Sequence, residues 1–381
     1  MSRHAELPAR RSVLRRAAWP AVLTVALALV PMLLWSGTGA VFTSTTRNNG
    51  NTFAFATYQQ AVLADAPALY LPMSDAAPAN TATTTGVGDI SGNSHDYAIA
   101  APPNCTLNGG QLLTLLCNGL LGLLQPAAAN FQVAGPPGIH PTPSYGTTFN
   151  FGGTCMRPPA TSGTNNQVSG AAVWNAPAPV ALTLEAWVST NSLNGGLVLG
   201  YAPSQETTTS AADRTLYLTP AGLPAFAVNT PGLSAGTPAA NVAVATRGGA
   251  VYTTLTSPTA IRDGAWHHLV ATVQPNPAPP AGSPYPAVLT LYVDGVAAVS
   301  YQTSAAAAVA YGTGKWRVQC IQGRSSTDPA VGTAQVLGGA NPYTLVGSLS
   351  AVAIYYGSAA SANQALPAAT VLAHYRMGST T

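Results

Sequence analysis

A chain of 381 residues is long enough for one large β-sandwich with insertions, and only 7% of it is charged, against about 25% in an ordinary soluble domain. The formal charge of +3 is carried at one end: Arg3, Arg10, Arg11, Arg15 and Arg16 all precede the first apolar stretch, and from residue 41 onward nine cations face ten acids. With no basic stripe to neutralise phosphates, nucleic-acid binding is excluded, and attraction to anionic lipid is unsupported beyond the first residues.

In chain order, the Arg-rich residues 1–16 lead into an apolar run, Ala17 to Trp35, interrupted by Pro20 and Pro31. Thr38-Gly39-Ala40 then places small residues where a signal peptidase reads, which predicts a secretory signal peptide over residues 1–40. Arg10-Arg11-Ser12-Val13-Leu14 approximates a twin-arginine motif. The apolar run approaches the ~20 residues that span a bilayer, so a retained anchor is the alternative. Residues 41–57 read as a linker, and residues 40–57 are similar to the region after the signal in exported camelysin-like proteins. The protein is expected to be secreted or held at the cell surface, touching membrane only through its N-terminal segment.

Tyr58–Asp65 predicts a short helix stopped by Ala66-Pro67, because the residue before proline avoids the α region. Ala68–Met73 predicts the first strand and residues 76–94 a loop. Residues 101–146 read as an insertion containing the leucine pairs Leu112/Leu113, Leu115/Leu116, Leu120/Leu121 and Leu123/Leu124, which predict an apolar helical face docked over a sheet edge. The four cysteines suit an oxidising compartment and match no zinc spacing. Of three open pairings we take Cys105–Cys117, closing a local loop, and Cys155–Cys320, joining distant strands.

Strand signals dominate the rest. Leu182–Ser189 alternates, with Leu182, Leu184, Ala186 and Val188 on one face, and His267, Leu269, Ala271 and Val273 alternate in the same way. Asp294-Gly295 between two β-rich runs predicts a type I′ hairpin. Leu345–Tyr356 reads as a late strand, and Pro367 opens a closing helix over Ala368–Tyr375. Many short strands with Gly/Pro turns and little helix give an all-β sandwich or barrel over residues 58–381.

Six phrases occur in order: AVLADAPALYLPMSD (61–75), Asp89-Ile-Ser-Gly-Asn93, LTLEAWV (182–188), Gly264–Ala271, Leu291–Val296, and Gly347–Tyr355 with Leu372–Tyr375. Together they resemble the laminin-G-like/concanavalin A-like modules of exported bacterial proteins. The resemblance implies a jelly roll of two stacked antiparallel sheets. It also implies a calcium ion held by the Asp-x-Ser-Gly-Asn loop, here Asp89 and Asn93, and an aspartate where this chain has Ser350. Calcium takes six to eight oxygens, several from carboxylates. The competing expectation is a turn whose Asp and Asn bond their own backbone.

Retaining glycosidases need two carboxyls ~5 Å apart. After residue 40 the glutamates are Glu185 and Glu206, with no acidic neighbour two positions from Glu185. His267 and His268 point to opposite faces and cannot serve one site. His267, on the apolar face, reads as a core histidine. Glu185 and Trp187 share the face opposite Leu184, where they form the candidate ligand platform unless a terminal segment or the Leu-rich insertion covers them; Trp174 and Trp316 carry the same ambiguity. The expected function is a non-catalytic module for a glycan or surface protein. A structural or adhesive envelope protein is the alternative, with an enzyme of the same fold behind both.

Overall fold

The computed structural model describes residues 45–48, 51–54, 57–75, 84–100, 129–139, 145–149, 155–157, 176–177, 179, 181–193, 195–203, 213–247, 250–275, 286–303, 313–319, 345–356 and 365–379. β1 (Thr45–Asn48) and β2 (Asn51–Ala54) form a hairpin of their own. Helix α1 (Tyr58–Ala64) begins at a capping box: Gln60 N donates to Thr57 Oγ1, and Thr57 N donates to Gln60 Oε1.

Two larger antiparallel sheets follow. The first contains β3 (Leu69–Leu71), β6 (Ala129–Ala134), β7 (Tyr145–Phe149), β10 (Leu182–Ser189), β17 (Trp266–Pro275), β18 (Ala287–Val293), β19 (Val296–Gln302) and β21 (Gly347–Tyr356). Its spatial order is β19-β18-β17-β10-β21-β7-β6, with β3 also paired to β21. The second contains β4 (Thr84–Val87), β5 (Tyr97–Ala100), β8 (Cys155–Arg157), β9 (Ala176–Pro177), β11 (Gly196–Pro203), β12 (Asp213–Leu218), β13 (Pro224–Asn229), β14 (Gly236–Ala239), β15 (Val242–Arg247), β16 (Ala250–Thr256) and β20 (Thr313–Val318). Its order is β14-β15-β16-β13-β12-β11-β20-β8-β5-β4, with β9 on β20. The chain ends in helix α2 (Ala368–Ser379).

The core lies between the sheets, as period-two alternation requires. Leu182, Leu184, Ala186 and Val188 of β10 and Leu269, Ala271 and Val273 of β17 face Leu216, Phe226, Val228, Leu255 and Trp316 of the second sheet, all buried. Trp316 is therefore a core residue. The Asp294-Gly295 turn has φ of 52° and 76°, the two left-handed positions of a type I′ hairpin. Asp294 Oδ1 also accepts from His268 N at 2.9 Å, tying the turn to β17.

Several expectations need correcting. The 76–94 loop contains β4, and the 101–146 insertion ends in β6 and reaches the start of β7, which extend the first sheet. A bulge between Asn130 and Val133, with Gln132 at φ 52°, breaks the alternation that would have marked β6. His267 does not enter the core: it sits at the end of β17 with its side chain 16% exposed, bonded to Asp294 Oδ2 at 2.9 Å and Asp263 Oδ1 at 3.1 Å. Hydrogen bonding to Asp294 raises its pKa, against partial burial and with help from Asp263. The leucine pairs, Trp174 and the N-terminal 40 residues lie outside the described residues, as do Cys105, Cys117 and Cys320; of Cys155 only the backbone, in β8, is described. Among the described residues no helix is long and apolar enough to cross a membrane.

Candidate functional site

The outward face of β10 carries Thr183, Glu185 and Trp187, and the two terminal helices lie over it. All three side chains are buried. The Thr183 hydroxyl accepts from Leu366 N at 2.8 Å, just before α2 begins. Trp187 is 1% exposed. Its ring stacks on Tyr375 of α2 (centroids 6.0 Å apart, planes at 17°), lies 5.0 Å from the His268 ring, and meets Tyr58 of α1 edge-on. Gly378 lies so close to the indole that a methyl there would collide with Trp187 Cζ2. Trp187 and Glu185 are thus no surface platform: a terminal segment covers them, and the aromatic area that could stack on a sugar is spent inside the protein.

Glu185 has no exposed surface, and both its oxygens are engaged. Oε1 accepts from Tyr58 Oη at 2.9 Å, His268 Nε2 at 2.8 Å and His374 Nδ1 at 3.0 Å, while Oε2 accepts from Tyr355 Oη at 2.8 Å. These donors come from α1, β17, α2 and β21, so one carboxylate joins four elements. On the far edge of its ring, His374 Nε2 reaches Asp65 Oδ2 at 3.1 Å, beside the C-terminal end of α1. His268 offers its Nε2 proton to Glu185, and its Nδ1 is buried with no partner.

The electrostatics follow from this geometry. Burial alone would raise the Glu185 pKa, but the His374 charge and the hydrogen bonds from His268 and His374 outweigh it and hold the carboxyl well below its usual range. Burial alone would lower His374, but the Glu185 and Asp65 carboxylates lift it to about 10. Tyr58 and Tyr355 are pushed up, first by burial and then by the Glu185 charge. The result is an ionised Glu185–imidazolium pair extended to Asp65, with each Glu185 oxygen hydrogen-bonded. Hydrolysis would need a second carboxyl across a reachable bond. Here the neighbouring acid, Asp65, lies behind an imidazole.

The Asp89 loop is organised around its own backbone. Asp89 accepts from Ser91 N at 2.9 Å, His95 N at 2.9 Å and Tyr70 N at 3.0 Å, and from Ser91 Oγ at 2.9 Å. The Asn93 amide donates to Ala68 O at 3.1 Å and Pro67 O at 3.3 Å. These contacts turn the carboxylate toward N–H and O–H donors, and the neighbouring Asp96 carboxylate is itself engaged, accepting from Asp89 N at 2.8 Å. Ser350 is buried on β21 opposite Trp187, whereas Tyr70, which Asp89 holds, pairs with Ala353. Those register positions are about 10 Å apart along the strand. Asp89 and Asn93 do not fit a calcium ion, and among the described residues no group of three or more His, Cys, Asp or Glu side chains is placed to hold a metal.

A family profile described as the concanavalin A-like lectin/glucanases superfamily matches residues 162–364, just over half of the chain. The chain belongs to that superfamily. No curated protein sequence matches it. Among solved structures, domain 4 of the extracellular arabinanase AbnA from Geobacillus stearothermophilus, in complex with arabinotriose, is 11% identical, with 76% of this chain and 98% of that one covered at a TM-score of 0.36. The carbohydrate-binding module (CBM40) of a Ruminococcus gnavus sialidase, bound to sialyllactose, is 16% identical over 48% and 80% of the two chains, at a TM-score of 0.30. The alginate lyase of Aplysia kurodai is 10% identical over 68% and 98%, at 0.34. At these identities and TM-scores, neither ligand nor activity carries over from them.

Tyr58, Asp65, Tyr355 and His374 escaped sequence reasoning. The available signal was Glu185 itself: a lone carboxylate on a strand flanked by apolar residues requires partners, and they come from two strands, β17 and β21, and the two helices.

Proposed function

We propose that this superfamily member is an exported, non-catalytic binding module whose ligand is a glycan or a protein of the cell surface. The observation that carries the non-catalytic part is the sealing of Glu185, whose oxygens are saturated by Tyr58, His268, His374 and Tyr355. A general acid or nucleophile must reach its substrate; a carboxylate with no exposure holds the fold instead. Superfamily membership and a mature chain poor in charge support recognition of neutral surface ligands. Export rests on the Arg-rich start, the apolar run and Thr38-Gly39-Ala40, with residues 41–57 as spacer and 58–381 as the domain.

Two assays test this reading. The purified chain is incubated with a panel of polysaccharides and released reducing ends are measured; no release is expected. Hydrolysis that vanishes in Glu185→Gln, with the fold retained, would overturn the non-catalytic assignment. A glycan-binding screen with and without chelator separates recognition from a purely structural role: saturable binding unaffected by chelator is expected, and no binding to any glycan sinks the lectin form.

A further inference from the structure

The second sheet ends in a concavity that neither the core nor the Glu185 cluster uses. The β14–β15 hairpin and the end of β16 border an open concavity of about 580 Å³, lined by Thr237, Ala239, Ala240, Asn241, Val242, Ala243 and Thr256. That volume lies within the ~300–1,000 Å³ of small-ligand sites. Asn241 N–Cα geometry is left-handed, φ 60°, and its carbonyl accepts from Thr256 N at 2.9 Å, which fixes the turn against β16. Val242 turns inward and is 3% exposed, so Asn241, Ala243 and Thr256 face outward together.

Among the described residues no ionisable side chain lines this surface. A charged ligand would find no counter-ion there. The Thr237 and Thr256 hydroxyls and the Asn241 amide have no partner among the described residues, and each can donate and accept at once. Between them lie the alanine methyls. Donor–acceptor groups interleaved with small apolar patches complement a ring that presents hydroxyls and C–H faces alternately. An extended peptide fits less well. β14 carries Pro238, and its pairing with β15 shifts register between Gly236 and Ala239, so the edge is blunted against strand addition.

We propose that this concavity is a binding site for an uncharged oligosaccharide, held by Thr237, Asn241 and Thr256. The inference rests on the binding-module reading above and adds to it a place and a ligand class.

The test is binding of the full chain to immobilised neutral gluco-, manno-, galacto-, xylo- and arabino-oligosaccharides, beside sialylated and uronic-acid oligosaccharides. Three variants accompany it. Asn241→Gly removes the amide while keeping a residue at ease with positive φ. The double variant Thr237→Val/Thr256→Val removes both hydroxyls without changing shape. Ala243→Trp fills the concavity from an outward strand position that tolerates an aromatic. Unchanged melting temperatures show that each variant folds. Neutral oligosaccharides are expected to bind, with affinity reduced about tenfold in the double variant and abolished in Ala243→Trp. Neutral binding at wild-type strength in all variants overturns the site and leaves the glycan-binding reading standing. Binding of acidic glycans alone overturns the ligand class, and binding of no glycan overturns this site together with the lectin form of the binding-module reading.

Discussion

Replacing Glu185 by glutamine tests the reading of the buried cluster most directly. The side chain keeps its shape, but its carboxylate becomes one acceptor oxygen and one amide that is itself a donor. Four donors converge on the native group: the Tyr58 and Tyr355 hydroxyls, His268 Nε2 and His374 Nδ1. At least one of them must then face an N–H, and a buried donor without an acceptor costs about 1–3 kcal/mol. The His374 imidazolium keeps Asp65 but loses its buried partner, a change of the kind that costs ~3–5 kcal/mol in total. At about 2–4 °C per kcal/mol for a domain of this class, the melting temperature should fall by roughly 10 °C. Scanning calorimetry near neutral pH measures this, with Trp187 fluorescence as a second probe, because loosening α2 wets an indole that is 1% exposed. A Glu185→Gln protein melting within about 2 °C of wild type, its Trp187 emission unchanged, would refute the claim that this carboxylate holds the helices to the sheet.

Other consequences are equally open to measurement. His374 is raised from 6.5 to about 10, so its contribution is complete below 6.5 and is lost as pH rises through about 10. Glu185 is lowered from 4.5, so its contribution is present above 4.5 and is lost as pH falls through the depressed value. Melting temperature should therefore be highest between 4.5 and 6.5 and decline on the alkaline side; equal values across the alkaline limb would contradict the His374 assignment. Gly378→Ala places a methyl against the Trp187 ring; a destabilisation of about 1–3 kcal/mol in denaturant titration is expected. With Cys105–Cys117 and Cys155–Cys320 formed, the unfolded, unreduced chain should show no titratable thiol, and peptide mapping should recover those two pairs; any other pairing discards the assignment.

The core was legible in the sequence because alternation is a local property. Leu182–Ser189 and the Asp294-Gly295 hairpin announce themselves within eight residues, and both stand where the pattern puts them. The closing helix was legible from Pro367, though it runs on to Ser379. The outward face of β10 was harder. Alternation correctly separates Glu185 and Trp187 from Leu184, but what covers them comes from positions 58–65 and 366–378, more than a hundred residues away on either side. Pairing across that distance leaves no periodic trace in a single chain. The same limit hid β6, where a bulge erased the alternation, and placed His267 in a core whose first β17 position is Leu269, two residues further on.

The Glu185 cluster also makes the two helices depend on one another. Tyr58 is among the first residues of the domain and His374 among the last, yet they meet on one carboxylate. Without α2, Trp187 would lose the ring of Tyr375 and Glu185 the imidazole of His374, while Tyr58 would keep its bond to the carboxylate. A cut in α2 would therefore be felt in α1, because both helices are held through the same carboxylate.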